Sequence, residues 1–183
     1  HDRHNTTWAA SVGTLLDSHL PHAVDRLQQL YRRALPQPPL LVSTVWVGSA
    51  EGAYTSLHPT HITCSTTDPR SQGFAAAEIL LHEASHAIAR DLQESIRVRL
   101  DVTQPGVGQL WHAALFFITG QVVARLLAEQ GVAYTPYVDS SGLFDRVWPQ
   151  FREPITEAWS GYLDGRWGWD SACDRLATAV ERD

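Results

Sequence analysis

One segment of the sequence has the residue types and the spacing to hold and use a metal ion. His82 and His86 lie four positions apart, and Glu83 directly follows the first of them. Residues four apart lie on the same face of an α-helix, so both imidazoles can direct a ring nitrogen at one cation. Imidazole suits zinc, and two such ligands leave room for a third ligand and a water molecule.

Glu83 is placed to act as a general base beside that cation. Its side chain would lie to the side of the two histidines, where a carboxylate can reach a metal-bound water without coordinating the metal. Zinc lowers the pKa of a bound water to about 7, and a nearby carboxylate can then accept its proton. The segment therefore predicts a zinc-dependent hydrolase. The alternative is an ordinary helix with two solvent-facing histidines, but the apolar flanks Leu80, Leu81, Ala87 and Ile88 favour a buried helix.

This His-Glu-x-x-His arrangement resembles the zincin superfamily of metallopeptidases. The resemblance implies a zinc cofactor, a peptide or small amide substrate, and a small twisted β-sheet packed on the metal-binding helix. It also implies that the strand preceding this helix, His61 to Thr66, is the edge on which substrate lies. The metzincin continuation needs glycine at position 89 and histidine at position 92, where this chain has Ala89 and Leu92. The gluzincin-like branch therefore fits better.

His112 is predicted to be the third metal ligand. Gluzincins take a glutamate from a second helix, but the second helix predicted here has no Asp or Glu from Val102 to Ala128. His112 is the one metal-capable side chain on it, and its bulky apolar neighbours indicate that it is buried and needs a partner. A core histidine bonded to a backbone carbonyl is the alternative. The fallback ligands are Glu94, Asp101 and, more weakly, Asp91.

Two further side chains are candidates for supporting roles. A zinc peptidase needs a donor for the developing oxyanion, and Tyr137 is the candidate, with Tyr134 behind it in the same predicted loop. An ordinary packed tyrosine is the alternative. Glu78 lies one turn before His82 and could accept a hydrogen bond from the second nitrogen of that ligand, or simply match the helix dipole.

The remaining pattern predicts an α+β fold, predominantly helical, in a single zincin-like domain over residues 1–183. Apolar spacing predicts helix from residue 6 to about 34, where Pro21 leaves either one bent helix or two, and prolines 36, 38 and 39 end it. Strands are predicted at 40–47, 53–57 and 61–66, with a turn at 48–52. Further helices are predicted at 74–93, 107–130, 142–148, 153–163 and 170–181, with a loop at 134–140.

Composition and net charge limit the classes of partner that we expect. The chain has 183 residues, is 44% hydrophobic and 19% charged, and carries a net charge of −6. These values are typical of a soluble globular protein. We expect no nucleic-acid partner, because the basic residues form no cluster beyond Arg32 and Arg33. We also expect no membrane span, because the most apolar run, Ala113 to Ile118, is far too short.

The two cysteines bear on localisation. A disulfide between Cys64 and Cys173 would indicate an exported protein, for example a periplasmic one. Two separate buried thiols are the alternative.

Three other functions stay open on the sequence. They are a non-peptidase zinc amidohydrolase, a catalytically silent metal-binding protein, and a disulfide-tied binding module without metal.

Overall fold

A computed structural model describes residues 1–37, 40–48 and 52–182 of the chain. Helices account for most of these residues and one three-stranded sheet for the rest of the regular structure. The predicted class, α+β and predominantly helical, is confirmed. The prolines at 38 and 39 and residues 49–51 of the predicted turn lie outside the described residues.

The N-terminal region forms two helices, α1 (Asp2–His19) and α2 (Ala23–Tyr31). Pro21 lies between them and cannot donate a helical hydrogen bond, which explains why two helices form and not one bent helix. The Trp8 indole N–H of α1 donates to the Ser71 carbonyl at 3.0 Å. This bond anchors α1 to the segment that leads into the metal-binding helix.

The sheet consists of β1 (Leu41–Val45), β2 (Ala53–Leu57) and β3 (Thr60–Ser65). Its order is β1-β3-β2, with β1 parallel and β2 antiparallel to β3. The expectation that His61 to Thr66 forms the substrate edge is wrong, because β3 is the central strand and its hydrogen-bonding groups are used on both sides. Within the described residues, β2 and β1 are the edges.

The helix that carries His82 and Glu83 is shorter than the sequence predicted. The single helix expected over residues 74–93 is α3 (Gly73–Ser85) followed by α4 (Arg90–Arg97). Tight turns connect them: the amide of Ala87 donates to Ala84 at 3.1 Å, and the amide of Ile88 donates to Ser85 at 3.0 Å. These i→i−3 bonds tighten the chain without any glycine or proline to mark the break. α3 contacts both β2 and β3.

The central helix is α5 (Leu110–Ala128), which follows a 3₁₀ turn at Val107–Gln109. Most of its residues are buried, which matches its near lack of charge. By length and composition, Val107–Ala128 could cross a membrane, and 61% of that window is buried inside the fold. A core helix of a soluble protein has the same length and composition, so the absence of a membrane span stays a prediction. The prediction considered only the apolar run 113–118, whereas the whole helix is apolar enough to cross a membrane.

The C-terminal third contains two short helices followed by two longer ones that pack as a helical hairpin. They are α6 (Tyr137–Ser140), α7 (Leu143–Val147), α8 (Arg152–Leu163) and α9 (Trp169–Val180). The last three agree with the predicted helices to within one residue at each end. The loop expected over residues 134–140 ends in α6, where Pro136 precedes the first helical residue.

Both cysteines are free and buried. Burial raises the pKa of the Cys64 thiol to about 12 and that of Cys173 to about 11, so both stay protonated at neutral pH. The alternative of two separate buried thiols is therefore the one found. The interpretation as an exported protein loses the disulfide on which it depended.

Candidate metal centre

Three histidine rings converge at the junction of α3 and α5. His82 lies in α3, His86 is the first residue beyond its end, and His112 lies in the first turn of α5. The Nε2 atom of His82 is 3.2 Å from Nε2 of His112 and 3.2 Å from Nε2 of His86. All three ligand atoms lie within 4.8 Å of one another. The structure thus brings together the three residues that the sequence predicted as ligands.

The spacing of these nitrogens fits a tetrahedral cation. Zinc–nitrogen bonds of about 2.0–2.1 Å in a tetrahedral arrangement separate two ligand nitrogens by about 3.3 Å. The other nitrogen of His82, Nδ1, is buried and has no hydrogen-bond partner among the described residues. If Nε2 binds a cation, Nδ1 carries the proton of the neutral ring, and this N–H is then a buried donor without an acceptor among the described residues. The donor set of three imidazoles is one that zinc uses in catalytic sites with an open fourth position.

Burial keeps these imidazoles uncharged. It lowers the pKa of His82 well below the usual value, with repulsion from the other two rings adding to the shift. Burial likewise lowers the pKa of His86 to about 4 and that of His112 to about 4. At neutral pH each ring therefore has a lone pair available for a cation.

Aromatic side chains fix the orientation of the rings. Phe116 stacks on His82 with ring centroids 3.6 Å apart, and Trp111 stacks on His112 at 5.2 Å. Trp148 meets His112 edge-on at 5.5 Å. Such packing restricts the rotamers of the ligands before any cation arrives, which lowers the entropic cost of binding.

Glu83 lies beside the histidines and is held by the sheet. Its Oε2 is 4.0 Å from Nε2 of His86, and its side chain is only 8% exposed. The hydroxyl of Thr55 on β2 lies 2.7 Å from Oε2 and 3.0 Å from the Glu83 carbonyl oxygen. Burial raises the pKa of Glu83, and the hydrogen bond from Thr55 opposes that shift. Thr55 was not singled out from the sequence, where a threonine in a short strand carries no signal of its own.

Glu78 has a different role from the one expected. It makes no hydrogen bond to His82, and it lies in the middle of α3 and not in its first turn. Its carboxylate accepts hydrogen bonds from the Tyr134 hydroxyl at 2.6 Å and from the Tyr137 amide at 3.0 Å. Burial raises its pKa to about 7. Glu78 therefore ties the segment containing both tyrosines to the metal-binding helix.

Gly120 of α5 makes room for this tie. A Cβ atom at this position would lie 2.7 Å from Cβ of Pro136 and 2.9 Å from Oε1 of Glu78. Only a residue without a side chain allows α5 to approach both groups so closely.

Tyr137 lies in the wall of the same cleft as the histidines. Its ring stacks on Phe116 with centroids 6.0 Å apart, and burial raises the pKa of its hydroxyl. The hydroxyl therefore stays protonated at neutral pH and is a hydrogen-bond donor. Tyr134, the second candidate, donates its hydroxyl to Glu78 and is not among the residues that line the cleft.

The fallback ligands lie elsewhere and have other partners. Glu94 pairs with Arg97 at 2.8 Å, Asp91 pairs with Arg33 at 2.6 Å, and Asp101 accepts a hydrogen bond from Thr103 at 2.6 Å. In the described ranges, the histidine cluster is the one group of three or more metal-capable side chains with converging ligand atoms.

The centre opens into a cleft of about 810 Å³. His86, His112 and Glu83 line it, whereas His82 lies behind them and is 1% exposed. The other walls come from β2, the 3₁₀ turn before α5, α6 and α7. A small molecule or an extended chain in this cleft can therefore reach His86 and His112.

No family model, no curated protein and no solved structure matches this chain. The chemistry of the site therefore has to be argued from its geometry. Three neutral imidazoles can hold a cation. A buried carboxyl with a raised pKa can exchange a proton beside it, and a protonated phenol in the same cleft can donate a hydrogen bond to a developing charge.

Proposed function

We propose that the protein is a zinc-dependent hydrolase, most directly a metallopeptidase that cleaves amide bonds. One observation carries the proposal: three uncharged imidazole nitrogens converge within 4.8 Å at the wall of a cleft that Glu83 also lines. In a purely structural core, each buried polar group normally has its own hydrogen-bond partner. Three imidazoles that converge beside a buried carboxyl are instead typical of a functional site.

Glu83 moves the proton in this mechanism. When bound, zinc supplies Lewis acidity, which acidifies water and polarises the substrate carbonyl. Glu83 accepts a proton from the attacking water and then gives it to the leaving amine nitrogen. A carboxyl whose pKa is raised by burial is closer to neutral pH and can do both. Thr55 holds Oε2, so that the side chain keeps one orientation through both transfers.

Tyr137 is the proposed donor to the oxyanion. Its hydroxyl stays protonated because of burial, and the Tyr137 backbone is fixed on Glu78. A donor that is positioned in advance stabilises the developing charge without reorganisation during the reaction. Tyr137→Phe should keep zinc and lower turnover about a hundredfold, since one donor to the oxyanion is removed.

The zincin-like arrangement is also part of the proposal. Two ligands at the end of one helix, a third from the next long helix, and a small mixed sheet on the first helix support it. The departure from the gluzincin pattern is the third ligand, His112 in place of glutamate. The edge available for an extended peptide is β2, next to Glu83, and not the central strand β3.

Zinc content tests this proposal most directly. Elemental analysis should find about one zinc ion per chain in the wild type and little in His82→Ala or His112→Ala, because two imidazoles alone bind weakly. His58→Ala is the matched control, since His58 is exposed and does not line the cleft. If His112→Ala keeps its zinc, the three-histidine site is wrong. A panel of peptides and small amides then separates a peptidase from another amidohydrolase.

A further inference from the structure

The cleft combines the metal centre with two arginines. Arg70, in the segment before α3, and Arg146, on α7, both line it. Among the described residues of its lining, Glu83 is the one acidic side chain. The chain as a whole has a net charge of −6, so a cleft wall with two guanidinium groups contrasts with the overall charge. A locally basic cleft in an acidic protein concentrates anionic groups there.

Arg146 keeps hydrogen-bond donors for a ligand. One of its NH2 groups donates to the Ser141 carbonyl at 3.1 Å, and no carboxylate lies within 4.0 Å of it in the described part of the chain. The nearby acids Asp139 and Asp145 pair instead with Arg152, at 3.6 Å and 3.1 Å. A guanidinium offers five N–H donors, so several remain for an anion in the cleft.

Arg70 lies on the same wall, but its charge is offset by an ion pair. Its guanidinium donates to the Asp68 carboxylate twice, from Nε at 3.0 Å and from Nη2 at 2.7 Å. Both arginines lie close enough to Tyr137 to lower the pKa of its hydroxyl, whereas burial, which is the larger effect, and the Asp68 and Glu78 carboxylates raise it. Arg146 and the Arg70–Asp68 pair therefore share one region of the cleft with the proposed oxyanion donor.

Apolar side chains surround this basic region. Leu143 and Val147 flank Arg146 on α7, and Trp148 follows them. An arginine beside apolar surface binds an anion better than one surrounded by water, because less solvent competes for its donors. A planar guanidinium matches a carboxylate through two parallel hydrogen bonds.

On the basis of the proposed hydrolase function, we propose that the cleft selects substrates that carry a carboxylate and that Arg146 binds it. Arg70 contributes less, because its guanidinium is paired with Asp68. The carboxylate can come from an acidic side chain near the cleaved bond or from the free C-terminus of a peptide. Arg146 is then a specificity-determining residue and takes no part in the bond cleavage itself.

Binding of three fluorescent peptides tests the inference. All share one sequence: the first has an internal glutamine and an amidated C-terminus, the second a glutamate in place of the glutamine, and the third a free C-terminal carboxylate. The zinc-loaded protein carries Glu83→Gln so that the peptides stay intact. Fluorescence anisotropy should show that one of the acidic peptides binds about tenfold more tightly than the neutral one, and which one it is identifies the source of the carboxylate.

Two arginine variants of the Glu83→Gln protein test whether the preference for acidic peptides depends on Arg146. Arg146→Gln should reduce the preference to about twofold or less, and Arg182→Gln should leave it unchanged, because Arg182 is exposed and does not line the cleft. Added salt should weaken the preference in the parent protein. Equal binding of all three peptides, no measurable binding of any, or an undiminished preference in Arg146→Gln would each overturn the inference.

The outcome is separable from that of the proposed function. Zinc binding and peptide hydrolysis without any preference for carboxylates would leave the hydrolase standing and remove the inference. A preference that depends on Arg146 in a protein that hydrolyses nothing would do the reverse.

Discussion

Two glutamates of one helix, Glu78 and Glu83, show how differently the same buried group can be used. Both lie in α3, both are almost fully buried, and burial raises the pKa of each carboxyl. Glu83 lines the cleft, whereas Glu78 has the Tyr134 hydroxyl and the Tyr137 amide against its oxygens. A raised pKa alone therefore does not mark a catalytic group. What separates the two is access to a space where a substrate can lie.

The largest expected effect follows from that difference in access. Glu83→Gln should keep zinc and lower turnover by about a hundredfold or more, because no base remains to take the proton. Glu78→Gln should lower turnover much less, since Glu78 acts only through the position of Tyr137. Turnover of a peptide substrate, measured together with zinc content, distinguishes the two variants.

Glu157→Gln serves as the control for both, because Glu157 is an exposed residue of α8 outside the cleft. Equal losses in the Glu78 and Glu83 variants would show that the comparison is wrong. A wild-type protein that holds zinc but has no turnover to lose would favour the catalytically silent metal-binding protein.

A smaller effect is expected where α5 approaches Glu78. Gly120→Ala should lower the free energy of unfolding by up to about 3 kcal/mol, because the added methyl group overlaps Pro136 and the Glu78 carboxylate. Urea unfolding measures this change. Gly13→Ala in α1 is the matched control: its Cβ would meet nothing within 4 Å, so the same substitution should be neutral or stabilise by about 1 kcal/mol. Similar changes in both variants would contradict the close packing around Glu78.

The smallest expected effect is the pH dependence that Glu78 gives to stability. Its pKa is raised from 4.5 to about 7 in the folded protein, so the folded state binds the extra proton over this range. The stabilisation is complete below the unfolded pKa and is lost as the pH rises toward 7. From about pH 5 to pH 8, wild type should therefore lose about 2–3 kcal/mol relative to Glu78→Gln.

Urea unfolding of both proteins across that range provides the measurement. All other ionisable groups are common to the two proteins, so their contributions cancel in the difference. A difference that stays constant, or that grows in favour of the wild type as the pH rises, would show that Glu78 is ionised at low pH and has an ordinary pKa.

Local spacing was enough to predict part of the site. His82, Glu83 and His86 lie within one helical turn, so their relation depends on helix geometry that any sequence with that pattern shares. His112 was reached by elimination, because it is the one metal-capable residue on an apolar helix. The bounds of β2 and of α8 were also close, because turn residues and prolines flank both segments.

The remainder depended on tertiary contacts. Thr55 contacts Glu83, 28 residues away in sequence, and Tyr134 contacts Glu78, 56 residues away. No local sequence pattern indicates either contact. The central position of β3 depends on the pairing of β1 with β3, which skips β2. The sequence did not predict the end of α3 after Ser85, because residues 86–89 include no glycine or proline and are all compatible with a helix.

The end of α3 also has a mechanical consequence for the candidate metal centre. His86 lies beyond the last regular turn, and its amide donates to the Glu83 carbonyl at 3.3 Å instead of making a full α-helical bond. A cation held by His82, His86 and His112 would thus cross-link three separate pieces of backbone: a helix, the bend that follows it, and the start of α5. Loading with metal would make the bend as rigid as its neighbours, so metal uptake would then stabilise the folded chain.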